Sequence, residues 1–159
     1  PTTGEVLGYE ATGVGAARLE QPGDPATLRV LSTKTEIVQN DRLLPIPPAD
    51  IVNYPLRAPS KPMEAQVLSI SGDYTAAGNN YVVSISRGAK DGVERGYVLG
   101  LFRPGQKVID RFEGRARDLV TPEERFGLIY IFRVFDRLSF GLVMQAQRPL
   151  AVGDAVRNP

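Results

Sequence analysis

Serine within reach of lysine is the first pairing in this chain that could do chemistry. A Ser–Lys dyad needs a lysine close enough to take the hydroxyl proton. Lys34, Lys61, Lys90 and Lys107 are available, but none sits in an S-x-x-K spacing and no G-x-S-x-G elbow is present. The sequence has no histidine, so the commonest general base and the commonest transition-metal ligand are both missing. Asp73, Asp91-Gly92 and Asp110 are carboxylates of the kind that hold calcium, yet the D-x-D-x-D-G spacing is absent. Residues 88–96 (GAKDGVERG) have the glycines of a phosphate loop without its Gly-Lys-Ser/Thr ending. They lead into a strand-like run, so no helix dipole would focus an anion there. The expectation is a protein that is not an enzyme and uses neither metal nor cofactor.

Residues suited to recognition are easier to find. Residues 104–120 form the longest stretch without a pattern, and such loops are usually mobile or used for binding; the loop over 105–120 is the expected contact. Arg111, Phe112, Arg115 and Arg117 lie in it and are candidate partner contacts. Arg103 to Arg125 carries six basic and five acidic side chains, a self-paired balance that argues against a nucleic-acid groove. Tyr54 stands in a proline-rich connector and is a second candidate contact. Arg133 interrupts an otherwise apolar strand face, where a guanidinium is either satisfied internally or serves as an interface anchor. Tyr74, Tyr81 and Tyr97 are candidate stacking groups for a sugar.

The element that must position these residues is a hairpin over residues 127–144 (GLIYIFRVFDRLSFGLVM). Its arms, 128–135 and 138–145, are dense in β-branched and aromatic residues, which suit a pleated, half-buried surface. A two-residue turn at Asp136-Arg137 sets Phe135 opposite Leu138, Ile131 opposite Leu142 and Ile129 opposite Met144. One face then carries Ile129, Ile131, Phe135, Leu138, Phe140, Leu142 and Met144, broken by Arg133.

Strands are also expected over residues 4–9, 26–32, 66–71, 81–87 and 97–102, from their apolar alternation. One helical turn is expected after Thr121, where Thr121-Pro122-Glu123-Glu124 offers a cap, a proline at the first position and early carboxylates. Six prolines between Pro45 and Pro62 predict an extended connector. The division is an N-terminal β subdomain over 1–45 packing on the rest, a connector over 46–63, and a C-terminal β domain over 64–159. One phrase repeats. Ile37, Asn40-Asp41, Leu43 recurs as Leu150, Gly153-Asp154, Val156, and more loosely as Val93, Gly96-Tyr97, Val98. The pattern is an apolar anchor followed by a residue able to turn with positive φ. The fold class is all-β, with small SH3-like or barrel-like antiparallel domains and at most one short helical turn.

The totals agree with this. A chain of 159 residues can bury a real core. A net charge of +1 gives no long-range pull toward nucleic acid or anionic membrane. There is no cysteine, hence neither disulfide nor thiolate metal site, and no tryptophan. No run of about 18 apolar residues exists to span a membrane as a helix. Starting at Pro1 without a leader, the chain is expected to be cut from a longer precursor.

The segments GEVLGYEATGVGAARL, EIVQNDRLLP, RGAKDGVERGYVLGL and ERFGLIYIFRVFDRLSFGLVMQAQRPLAVGDAVRNP together resemble the C-terminal region of TsaP, the type IV pilus secretin-associated protein family. The resemblance covers nearly the whole chain and is weakest over residues 53–62 and 105–120. The F-R-V-F-D-R…L-V-M-Q-A-x-R-P run is its most specific part. The G-x-x-D-G-V-x-x-G turn is also similar to the C-terminal domain of flagellar assembly protein T. The resemblance implies a periplasmic location, peripheral to the outer membrane and cell wall. It implies association with the outer-membrane secretin, and a peptidoglycan-binding LysM module that lies outside this sequence. It supplies no catalytic residues. The expected function is thus a structural domain that binds secretin, and itself as a ring or dimer. The alternative is a glycan-binding β module acting directly on peptidoglycan.

Overall fold

The computed structural model describes residues 4–46, 54–72, 74–105, 107–110 and 117–159, with the backbone alone for 107–110, 117 and 118. The protein is all-β. In chain order the strands are β1 (Gly15–Gln21), β2 (Thr27–Thr33), β3 (Glu64–Ile70), β4 (Ala76–Ala77), β5 (Val82–Ile85), β6 (Val98–Arg103), β7 (Lys107–Asp110), β8 (Arg117–Val120), β9 (Glu124–Val134), β10 (Ser139–Ala146), β11 (Leu150–Ala151) and β12 (Ala155–Arg157). Among the described residues the helical content is one 3-10 turn, Ala89–Asp91. The chain divides into two units, Tyr9–Val52 and Pro1–Gly8 with Asn53–Pro159.

The larger unit is a closed six-stranded barrel in the order β10-β5-β3-β12-β6-β9, antiparallel at every pairing. Closure leaves the barrel no open edge. Its interior is filled by Val67, Val83, Ile85, Leu99, Leu101, Ile129, Ile131, Val143 and Val156, all fully buried. Phe126 and Leu150 extend this core. The filling is dominated by branched aliphatic side chains, as the interior of a small barrel requires.

The hairpin of β9 and β10 forms, and Phe135 N–H donates to Leu138 O at 2.9 Å as the expected turn requires. Its register then departs from simple alternation. Gly141 lies opposite Ile131 and Val143 opposite Ile129, because Phe132 on β9 and Met144 on β10 are extra residues at two irregularities. Each shifts the pairing by one and exchanges the two faces. The inward residues of β10 are therefore Ser139, Gly141 and Val143, while Leu142 is half-buried and Met144 exposed. Gly141 is small for a reason, since a Cβ there would strike the Ile129 and Ile131 side chains. Buried Ser139 is satisfied by donating to Arg87 O at 2.8 Å.

Three further expectations change. Residues 4–9 form no strand. Thr121 to Glu123 make no helical turn, and Glu124 and Arg125 instead enter the ladder opposite Arg103 and Phe102. Cross-strand pairing outcompetes a single unsupported turn. Residues 105–120, read as patternless, contain the β7–β8 pair, with Lys107 opposite Val120 and Asp110 opposite Arg117. The end of the connector is clamped by Asn158, whose side chain accepts from Met63 N–H at 2.8 Å and donates to Pro59 O at 3.2 Å and Lys61 O at 3.1 Å.

The repeated phrase is a repeated turn. Asn40 at φ +79° and Gly153 at φ +93° occupy the third place of equivalent turns. Asp41 N–H donates to Val38 O, and Asp154 N–H to Ala151 O, both at 3.2 Å. The two carboxylates reach back to the same places, accepting from Val38 N–H at 2.9 Å and Ala151 N–H at 2.8 Å. The looser copy keeps the backbone turn, with Gly96 at φ +95° and Tyr97 N–H donating to Glu94 O at 3.4 Å.

Candidate functional site

Tyr54 belongs to a short strap that crosses Gly96. Arg57 pairs with Tyr97 as an isolated parallel bridge, through Arg57 N–H to Gly96 O at 3.0 Å and Val98 N–H to Arg57 O at 2.8 Å. Gly96 permits the approach, since a Cβ there would stand 2.7 Å from Pro55 O. Two arginine–tyrosine contacts then interleave. Arg95 donates to the Tyr54 hydroxyl at 3.0 Å with its guanidinium 5.7 Å from that ring. Arg57 lies 5.2 Å from the Tyr97 ring and pairs with Glu94. Tyr54 is half-buried and held by its own neighbours.

Arg133 stands at the other candidate position, near the tip of the β9–β10 hairpin. It is exposed rather than buried in an apolar face, because the extra residue Phe132 reverses the inward–outward order of β9. Its guanidinium lies 5.2 Å from the Phe135 ring. Phe135 in turn meets Phe140 edge to face, with centroids 5.7 Å apart. Phe132 and Phe135 keep 38% and 41% of their surface in solvent. The tip is fixed by the turn after β5. Ala89 N–H donates to Phe135 O at 2.8 Å, Lys90 N–H donates to Asp136 O at 3.0 Å, and Lys90 pairs with Asp136 at 3.5 Å. Gly88 makes this docking possible, since a Cβ there would lie 2.6 Å from Arg137 N.

Arg111, Phe112 and Arg115 lie outside the described residues, and Arg117 is placed by its backbone alone, at the start of β8. Tyr54 and Arg133 occupy separate features, the strap and the hairpin tip. Of the three tyrosines suited to stacking on a sugar, Tyr97 is buried at 7% exposure and lies under Arg57, so it presents no free face. Tyr74 and Tyr81 are exposed and meet edge to face, 5.4 Å between centroids.

One polar arrangement escaped the sequence reading. Asp154 is buried and held by Arg103, Nε to Oδ1 at 3.2 Å and Nη2 to Oδ2 at 2.8 Å. The same Nη2 donates to Pro149 O at 2.8 Å, and the guanidinium lies 5.1 Å from the Phe126 ring. The hydrogen bond to Asp154 raises the Arg103 pKa against the opposing effect of burial. The Gly-Asp of the repeat was the available signal. It marked the turn but not the arginine 51 residues away. With its lone pairs engaged, Asp154 is a structural group.

A groove along the barrel passes Glu64, Arg87, Asp91, Arg137 and Arg157. Each of these charges is already paired: Arg157 with Glu64 and Glu123, Arg87 with Asp91, and Arg137 with Glu5. No group of three or more metal-ligating side chains occurs among the described residues. No helix among them is long and apolar enough to cross a membrane. The fold is a small closed β-barrel carrying exposed aromatic–arginine surface. No protein-family model, curated protein or solved structure matches the chain.

Proposed function

We propose that this chain is a non-enzymatic interaction domain that associates with the outer-membrane secretin of type IV pili, and with itself, and helps anchor the secretin to the cell wall. The family resemblance supplies the partner and the periplasmic setting. In this reading the LysM module of the parent protein makes the peptidoglycan contact. The observation that carries the reading is the cluster of Arg133, Phe135 and Phe140 at the hairpin tip. Arginine and aromatic side chains dominate interface cores. A tip already fixed by the Gly88 turn gives up little freedom on binding.

Co-purification with secretin tests it. R133A with F135A lowers recovery of secretin while the barrel stays folded; unchanged recovery rejects this tip as the contact. Deleting residues 106–119 tests the β7–β8 hairpin in the same assay.

A second reading, direct binding to peptidoglycan, is favoured by the exposed Tyr74–Tyr81 pair. Sedimentation with purified peptidoglycan separates the two: pelleting of the protein, abolished by Y74A with Y81A, would support the glycan module.

A further inference from the structure

The unit Tyr9–Val52 is built on two strands, β1 and β2, and none of its described residues is classed as buried. Leu19 lies opposite Leu28, and Ala17 opposite Val30, so these four share one face. Leu19 and Val30 keep 54% and 52% of their surface exposed. A lone two-stranded ribbon is marginal in water, and three or more strands with an apolar face are needed for independent stability. Among the described residues each strand pairs only with the other, which leaves each an edge unpaired by any of them.

The charges on β1 say what fits that edge. Arg18 stands directly opposite Arg29, a like-charge pair that destabilises the ribbon. Glu20 answers Arg29 at 2.6 Å, and no carboxylate answers Arg18 among the described residues. Glu20 is the extra residue at the irregularity in β1, so it stands outside the β1–β2 ladder. The sequence Ala17-Arg18-Leu19-Glu20-Gln21 is self-complementary when read antiparallel. A two-fold axis through Leu19 sets Arg18 opposite Glu20 of the second copy, and the reverse, with Leu19 against its own counterpart.

We propose that two copies of this chain associate by antiparallel pairing of β1 with β1 about Leu19, making one four-stranded sheet from two ribbons. The inference deepens the self-association in the reading above. It concerns contact between copies and does not depend on the secretin. A symmetric pairing of one patch with itself closes as a dimer.

The absence of native cysteine makes the test direct in the full chain. Residues on the axis come within about 4.5–5.5 Å between Cα atoms, inside disulfide range. Ala17 and its counterpart are offset by four residues, about 13 Å along the strand. Under mild oxidation L19C gives a covalent dimer and A17C stays monomeric. The expected mass of the unmodified protein in solution is twice the single-chain 17.3 kDa. R18E and E20R each return it to the single-chain mass by opposing like charges, and R18E combined with E20R restores the dimer. A monomeric unmodified protein, equal cross-linking of L19C and A17C, or a double variant no better than the singles overturns the pairing. Secretin co-purification is read on the same variants. Its persistence in a protein that fails the cross-linking test rejects this contact and leaves the secretin reading standing.

Discussion

Arg103 grips Asp154 with two of its nitrogens, and the carboxylate it holds also caps the turn leading into β12. The pair joins the end of β6 to the last turn, so one contact secures two of the strands that close the barrel. Because Arg103 is about one-third exposed, its share is smaller than that of a fully buried pair. R103A strands a buried carboxylate and is expected to lower stability by about 2–3 kcal/mol. D154N keeps an acceptor for Ala151 N–H and should cost less. Urea denaturation of both variants measures the order. Because the Arg103 pKa is raised on folding, the guanidinium's share of the pair is fully present from neutral pH up to the ordinary guanidinium pKa. It is lost only as pH climbs through the raised value, so stability falling between pH 7 and 10 must come from other groups.

Two glycines separate steric from conformational cost. Gly88 has an ordinary extended backbone, but its missing Cβ makes room for the backbone of the hairpin tip. G88A should cost about 1–3 kcal/mol through forced displacement of residues 135–137. Gly153 has open space around it and φ at +93°. G153A should cost about 1–2 kcal/mol through the left-handed backbone alone. Asn, which tolerates that region and stands at the equivalent position 40, should recover most of the loss. Thermal denaturation of G88A, G153A and G153N gives the comparison, and equal damage from G153A and G153N would remove the conformational explanation.

Gly141 tests the packing of the barrel interior. G141A would push a methyl group into Ile129 and Ile131, at an expected cost of about 1–3 kcal/mol. Combining it with I131V, which makes room, should return part of that. A double-mutant cycle in denaturant reads the coupling.

The hairpin tip should behave in the opposite way. R133A removes one exposed cation–π contact, worth about 0.5–1 kcal/mol, and should leave the denaturation midpoint nearly unchanged. Any larger effect of R133A is expected in secretin recovery, not in folding.

The β architecture was legible because the apolar runs of β3, β5 and β6 are short and bounded by glycine-containing turns, and those of β9 and β10 are dense in β-branched and aromatic residues. The recurring Asn-Asp and Gly-Asp turn was legible too, since positive φ selects few residue types. What alternation could not reveal was where it breaks. Phe132 and Met144 look like ordinary members of their strands, and only the curvature of a closed barrel makes them extra residues. That one effect inverted the inward set of β10 and moved Arg133 into solvent. Tyr97, read as an exposed stacking group, is buried because a strap from the proline-rich connector crosses beside it. Arg103 and Asp154 were each visible, but their union depends on closure between segments distant in sequence.

Barrel closure falls to Ala155–Arg157, seated between β3 and β6. Both of those neighbours precede it in the chain, and they are joined to each other only through it. Without it two apolar rims stand unzipped, open to wrong partners. The cylinder is therefore sealed by the shortest of its six strands, and fraying of that one piece would reopen both rims at once.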